Sequence, residues 1–316
     1  MPKVIFKGMT NLMSLSLAEL KTCFEQHGYI CEDTTALTVF LALDLKKPLL
    51  IEGAPGVGKT EMGKVLASIL GTELIRLQCY EGLDETKALY EWNYQRQLLR
   101  IQMNRDLEEG EIREEDLFSN RYLLERPLLK AIRAEKQAVL LIDEVDKCDP
   151  EFEAFLFEVL SDFQVSIPEL GTIRANNIPV VVLTSNNERE LSDGLKRRCL
   201  YLYLDFPAIE KEVEIIRARI PGVADRLAWE IARVVARLRR QPEMRKKPSI
   251  AETLDWTRAL LALNQTRLDA KIVADTLNLL LKTRADQQLF TSQIGCEGVE
   301  QALTDKRNGG EICGCS

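Results

Sequence analysis

The sequence predicts an α/β fold, a five-stranded parallel sheet flanked by helices, with an all-helical second domain after it. Three observations predict it. Five short apolar runs recur near residues 47–53, 73–79, 138–144, 179–186 and 200–206, and strands buried on both faces read as such runs. The segments between them are long enough to hold crossover helices, the arrangement that makes a sheet parallel. Beyond Pro207 no strand pattern returns, while Leu227, Ile231, Val234, Val235 and Leu238 keep helical spacing.

Each element can be justified in chain order. Residues 1–30 read as a short helical N-terminal extension that ends in a turn near Gly28. An apolar helix from Thr35 to Leu43 leads into the first strand, KPLLIEG, and a glycine-rich loop follows it before the helical pattern TEMGKVLASIL. ELIRLQC is the second strand. After it come an aromatic and charged stretch, YEGLDETKALYEWNYQRQLLRIQ, and an acidic one, DLEEGEIREED. AVLLIDE is the third strand. Phe152, Phe155, Leu156, Val159, Leu160 and Phe163 then form the core stripe of an amphipathic helix. Residues 164–174, QVSIPELGTIR, alternate around Pro-Glu-Leu-Gly and predict a small hairpin. PVVVLTSN and LYLYLDF complete the sheet. The expected division is an N-terminal extension at 1–30, a nucleotide-binding α/β domain at 31–206, a helical lid at 207–285 and a poorly ordered tail at 286–316.

Composition narrows the function. With 316 residues the chain holds one α/β domain and a smaller partner domain. A net charge of −7 disfavours nucleic acid as the main partner. No apolar run is long enough to span a membrane, and the N-terminus lacks a secretory pattern. The eight cysteines are scattered rather than arranged as a disulfide framework, as expected of reduced thiols in a cytoplasmic protein. His27 is the only histidine, so chemistry that needs a histidine base or a two-histidine metal site is excluded. What remains is chemistry by carboxylates, lysine, arginine and a metal brought with the substrate.

Gly53-x-x-x-x-Gly58-Lys59-Thr60 matches the phosphate-binding P-loop in full, between a strand and a helix as that motif requires. Residues Gly53, Ala54, Pro55, Gly56, Val57, Gly58, Lys59, Thr60 and Glu61 are the expected ATP-binding segment. Lys59 reaches the β- and γ-phosphates in this reading, and Thr60 holds Mg²⁺. Asp143 and Glu144 end the third strand, where open α/β sheets bind ligands. Asp143 is the second Mg²⁺ residue and Glu144 the base for the attacking water, which favours hydrolysis over phosphoryl transfer to another acceptor. Asn186 ends another buried strand and is placed to bond the γ-phosphate or the lytic water. Lys196, Arg197 and Arg198 taken alone are a solvated basic face. Beside a nucleotide site, an arginine there can also be donated to a neighbouring subunit's ATP.

Together these segments resemble the MoxR family of AAA+ ATPases, in the helix-2-insert clade. GAPGVGKTEM, LLIDEVD, the hairpin after FEAFLFEVLSDF, VVVLTSN and ELSDGLKRRCLYLYLDFP occur in that family's order. RLQCYEGLDETKALYEWNYQRQLL most resembles the carbon monoxide dehydrogenase accessory ATPases of the CoxD type. The resemblance implies a P-loop AAA+ core with a helical lid, assembled as a homo-oligomer, usually a hexameric ring with ATP between subunits. It implies catalytic roles for Lys59, Glu144, Asn186 as sensor 1 and Arg198 as the arginine finger. It also implies a partner with a von Willebrand factor A (VWA) domain and a client metalloenzyme of the molybdenum-hydroxylase type. Relatives that activate Rubisco, mature nitric oxide reductase or assemble gas vesicles supply alternative clients, and a nucleotide-regulated assembly module with little turnover is an alternative mode. One departure stands out. Where relatives carry a sensor 2 arginine this chain reads PSIAETLDW, with Ala251 and Glu252 in place and Arg258 further along.

Weaker signals lie elsewhere. RRQPEMRKK at 239–247 reads as a solvated lid loop rather than a nucleic-acid patch. Cys313-Gly-Cys315 is either a soft-metal site or a tail with two reduced thiols. Tyr80, Tyr90, Trp92 and Tyr94 read as a partner-facing surface or as core.

Overall fold

The computed structural model of the chain describes residues 15–106 and 114–304, apart from the side chains of 104–106, 114–115 and 296. The CGC motif lies outside the described residues. Two helices, α1 (Leu17–Gln26) and α2 (Asp33–Asp44), precede strand β1 (Leu49–Gly53). Helix α3 (Lys59–Leu70) follows the P-loop and leads to β2 (Leu74–Gln78). The aromatic stretch after it folds as α4 (Glu85–Ala88), β3 (Tyr90–Trp92), α5 (Tyr94–Asp106), α6 (Glu114–Leu117), β4 (Leu123–Glu125) and α7 (Pro127–Ile132). Then come β5 (Val139–Asp143), α8 (Pro150–Asp162), the hairpin β6 (Gln164–Ile167) and β7 (Gly171–Arg174), β8 (Val180–Ser185), α9 (Asp193–Arg198) and β9 (Leu200–Leu204).

The five expected strands form one sheet in the order β2-β5-β8-β1-β9, with β2/β5, β5/β8 and β1/β8 in parallel register. All five residues of β1 and of β5 are buried, which is why these strands read as unbroken apolar runs. The chain leaves β1 toward β2 at the far edge and leaves β8 toward β9 on the other side. This reversal opens a crevice at the strands' carboxyl ends. Register sets Gln78 opposite Asp143 and Glu52 opposite Ser185, so polar strand ends share one level.

Helix α8 begins with Pro150 at its first turn and stops where Phe163 turns left-handed. Its predicted stripe is buried at Phe152, Leu156, Val159 and Leu160. The hairpin forms where alternation predicts it, pairing Gln164 with Arg174. The aromatic stretch divides: Trp92 is buried edge-on against Tyr90 and Phe118, while Tyr80 and Tyr94 are exposed. His27 caps α1, its ring Nδ1 2.8 Å from the Cys23 carbonyl.

The remaining helices are α10 (Ile209–Arg219), α11 (Asp225–Arg239), α12 (Ile250–Ala262), α13 (Ala270–Thr276), α14 (Arg284–Leu289) and α15 (Gly295–Thr304), with a π-helical turn at Phe290–Ile294 before the last. Leu227, Ile231, Val234, Val235 and Leu238 of α11 are all buried around Trp256. The expected disorder from residue 286 is corrected here. The described chain is helical to Thr304, and Phe290, Ile294, Val299 and Ala302 are buried in this same core. The π turn inserts an extra residue per turn and shifts the apolar phase, so no single helical period runs through the segment.

The chain divides into two compact units, Met1–His27, Cys31–Gly53 and Lys59–Tyr203 in one, and Gly28–Ile30, Ala54–Gly58 and Leu204–Ser316 in the other. Leu20 and Phe24 of α1 are fully buried, and α1 packs on α2 and α3, so this helix is part of the first unit rather than an extension of it. Among the described residues no helix is long and apolar enough to cross a membrane.

Candidate functional site

The crevice site begins with the loop between β1 and α3. Gly56 and Gly58 have φ of 76° and 99°, conformations that favour glycine and let main-chain N–H groups turn toward one point. Gly56 is restricted for a second reason. A Cβ there would clash with the Ser249 Cβ of the same unit, and the Gly56 carbonyl accepts a 3.2 Å hydrogen bond from the Ile250 N–H. Gly56→Ala should therefore cost more than the roughly 1–2 kcal/mol of a left-handed alanine, read as a lowered thermal midpoint.

Lys59 opens α3 with only 6% of its surface exposed and donates to the Gly53 carbonyl at 2.6 Å. Burial pushes its ammonium pKa down, opposed by the charges of Asp146, Asp143 and Glu144. A buried cation of this kind is relieved by an anion such as a phosphate. One residue on, Thr60 Oγ1 donates to Asp143 Oδ1 at 2.9 Å. Thr184 at the end of β8 donates to the same oxygen at 2.6 Å and accepts from the Glu144 N–H at 2.9 Å. Glu144 itself is left-handed, with φ 59° and ψ 51°, which turns the chain sharply after β5.

Two β2 side chains close the other flank. Arg76 Nη2 donates to Asp143 Oδ2 at 2.5 Å and to Gln78 Oε1 at 2.6 Å. Gln78 Nε2 donates to Glu144 Oε2 at 2.9 Å, and Lys147 Nζ donates to the same oxygen at 2.7 Å. Hydrogen bonding to Glu144 raises the Lys147 pKa. Asp146 is buried, and its Oδ2 accepts from the Asn186 and Glu188 N–H groups at 3.0 and 2.9 Å. Its Oδ1 is buried without a protein partner.

The expected residues Lys59, Thr60, Asp143 and Glu144 are thus brought together. Asn186 is joined to them through its main chain and Asp146. Arg198 is not drawn in. Exposed at the end of α9, it stacks over Phe157 with Cζ 5.1 Å from the ring centre. Arg258 pairs with Asp255 on its own helix at 2.8 Å. At the start of α12, where a sensor 2 arginine is expected from the resemblance, Ser249 and Glu252 form a capping box. Sequence reasoning missed Arg76, Gln78, Asp146, Lys147 and Thr184. The available signal was two polar residues, two apart, on one face of a strand beside the acidic pair.

Thr60 Oγ1 and the Asp143 carboxylate are hard oxygen donors, the set that suits Mg²⁺. The buried Lys59 and the positive-φ loop glycines suit phosphate. The donors present therefore fit a nucleotide with its magnesium ion.

Residues 48–199 match the family described as AAA domain (dynein-related subfamily), a span that contains every expected site residue. The chain is 24% identical to gas vesicle ATPase GvpN1 of Halobacterium salinarum, over 83% of this chain and 75% of that protein. It is 27% identical to the chaperone protein ClpB of Bacillus anthracis, over 46% of this chain and 14% of that one. Among solved structures, the RuvB Holliday junction branch migration motor of Thermotoga maritima is similar at 19% identity and a TM-score of 0.46, covering 82% of this chain and 72% of that one. By its sheet order and its P-loop the chain has the P-loop AAA+ fold, and the family match over residues 48–199 falls on the part that carries that sheet.

Proposed function

We propose that the chain binds and hydrolyses ATP with Mg²⁺ and uses the cycle to remodel or activate a client protein. The observation that carries this reading is the 2.9 Å bond from Thr60 Oγ1 to Asp143 Oδ1, which joins the loop hydroxyl and the strand-end carboxylate beside a buried lysine. In this mechanism the loop N–H groups and Lys59 hold the β- and γ-phosphates, and Thr60 and Asp143 hold the metal. A magnesium ion held there would supply charge that offsets the phosphate oxygens. Glu144 accepts the proton of the attacking water once its carboxylate turns from Gln78 and Lys147. Asn186 orients the water, and Arg198 is supplied to a neighbouring subunit within a ring.

Relatives named as ATPases and as a chaperone support an ATPase that acts on other proteins. The resemblance to the CoxD branch supports a metalloenzyme of the carbon monoxide dehydrogenase type as client, a VWA-domain protein as partner and the cytoplasm as its place. The β6/β7 hairpin is the element through which the client is engaged. A second reading, an assembly module with little turnover, is favoured by the capped Ser249 start of α12 in place of a sensor 2 arginine.

Purified protein should release phosphate from ATP only with Mg²⁺. Lys59→Ala should weaken nucleotide affinity roughly tenfold to hundredfold, the loss expected for charged hydrogen bonds, measured by anisotropy of a fluorescent ATP analogue. Unchanged affinity in that variant would remove Lys59 from the site. Nucleotide binding without phosphate release would favour the assembly module.

A further inference from the structure

We infer that Arg76 is the resident counter-cation of Asp143, held in the second carboxylate oxygen's bonding position until a divalent ion displaces it. The inference rests on the nucleotide-and-magnesium reading above and deepens it with a positioning residue on β2.

Asp143 is 2% exposed. A carboxylate taken out of water this far needs positive charge or donors on both oxygens. Oδ1 has two hydroxyl donors, Thr60 and Thr184, at 2.9 and 2.6 Å. Those are neutral. Oδ2 takes a formal charge directly, the Arg76 guanidinium at 2.5 Å. The partners are unequal: Asp143 is buried, whereas the Arg76 side chain is 48% exposed and reaches in from the edge strand β2. An arginine anchored this way can swing outward into water without leaving a buried cation behind, while Asp143 is held buried at the end of the interior strand β5.

A divalent ion at Thr60 and Asp143 changes this balance. It places two positive charges beside the carboxylate that Arg76 now neutralises, and Arg76 becomes the repelled neighbour. The guanidinium also donates to Gln78 Oε1, and Gln78 in turn donates to Glu144. Departure of Arg76 therefore frees Gln78 Oε1 and releases one restraint on the amide whose Nε2 bonds the base. Magnesium must compete with a cation already present, so its apparent affinity is lower than the bare donor set would give. An ion pair with one exposed partner contributes on the order of 1 kcal/mol, which corresponds to about a fivefold change.

The test is a Mg²⁺ titration of a fluorescent, non-hydrolysable ATP analogue bound to the full-length protein, read by anisotropy and therefore independent of turnover. Arg76→Ala should lower the half-saturating Mg²⁺ concentration about fivefold. Its affinity for the analogue in EDTA should stay within twofold of the native value. Arg76→Lys should fall between the two. Arg126→Ala removes an exposed cation paired with Glu91 and serves as the control. Mg²⁺ without nucleotide should also raise the thermal midpoint of Arg76→Ala more than that of the native protein. An unchanged or higher Mg²⁺ midpoint in Arg76→Ala overturns the inference, and so does an equal shift in Arg126→Ala. If Arg76→Ala does not fold, Arg76→Gln takes its place with the same expectation. Failure of the native protein to bind the analogue at all would overturn the nucleotide reading itself, an outcome distinct from a flat midpoint in a protein that binds.

Discussion

Glu144→Gln should bind ATP as tightly as the native chain and release phosphate roughly 10²–10⁴ times more slowly, the usual share of a general base. The substitution keeps size and shape, and glutamine takes the left-handed conformation found at φ 59° as readily as glutamate. It removes a partly exposed carboxylate whose other oxygen has room to accept a proton. Asp143 is saturated by Thr60, Thr184 and Arg76, and Asp146 is committed to the Asn186 and Glu188 N–H groups through Oδ2. Glu144 instead has flexible partners, Gln78 and Lys147, on a single oxygen. The measurement pairs steady-state phosphate release with anisotropy of a bound ATP analogue. Turnover within threefold of native would show that Glu144 is not the base. Loss of binding would show that the carboxylate's charge and its bonds to Gln78 and Lys147, not the proton transfer, are what the residue supplies.

The parts of this site that could be read from sequence are those whose chemistry is written along the chain. β1 and β5 are buried at every position, so they read as apolar runs, and the phosphate loop and the acidic pair follow directly from them. Arg76 and Gln78 were not legible for the opposite reason. β2 lies at the sheet edge and alternates between buried and exposed residues, so its polar positions look like any solvated edge face. Only the register, which sets Gln78 opposite Asp143, gives them meaning. Asn186 was legible as a polar strand end, but its link to the site runs through the main chain and Asp146, which no side-chain pattern reveals. Arg198 is a further case. Three adjacent cations mark the end of α9, and within one chain Arg198 has Phe157 to stack on. Its proposed role needs a second subunit. The helices after Arg284 were not legible because a π-helical turn breaks the period on which helix recognition depends.

Removal of Arg239 should destabilise the helical unit by about 3–5 kcal/mol. Arg239 Nη1 and Nη2 grip both oxygens of Glu212 at 2.6 and 2.9 Å, and both residues are buried. Its Nε donates to the Pro248 carbonyl at 2.8 Å, and its guanidinium lies 4.5 Å from the centre of the Phe206 ring. Arg239→Met would leave a buried carboxylate with only the Thr253 hydroxyl, which donates at 2.9 Å. The double variant Arg239→Met with Glu212→Leu should recover most of the loss, because the desolvated charge is then gone. A deficit of about 1 kcal/mol should persist from the abandoned Pro248 carbonyl. The pH dependence gives an independent check. Burial pushes the Glu212 carboxyl above its ordinary value of 4.5, in spite of Arg239 and Thr253, and loss of Arg239 pushes it further. A carboxyl whose folded pKa exceeds its unfolded one takes up its proton first in the folded state, so folding gains stability as pH falls through the folded pKa. The Arg239→Met deficit should accordingly shrink as pH is lowered from neutral toward about 5, while the double variant shows no such dependence. Chemical unfolding followed by the fluorescence of Trp256, buried in this same core, reads both effects. A single-variant deficit that is independent of pH would mean that lost packing on Phe206, rather than a stranded carboxylate, is what the substitution costs.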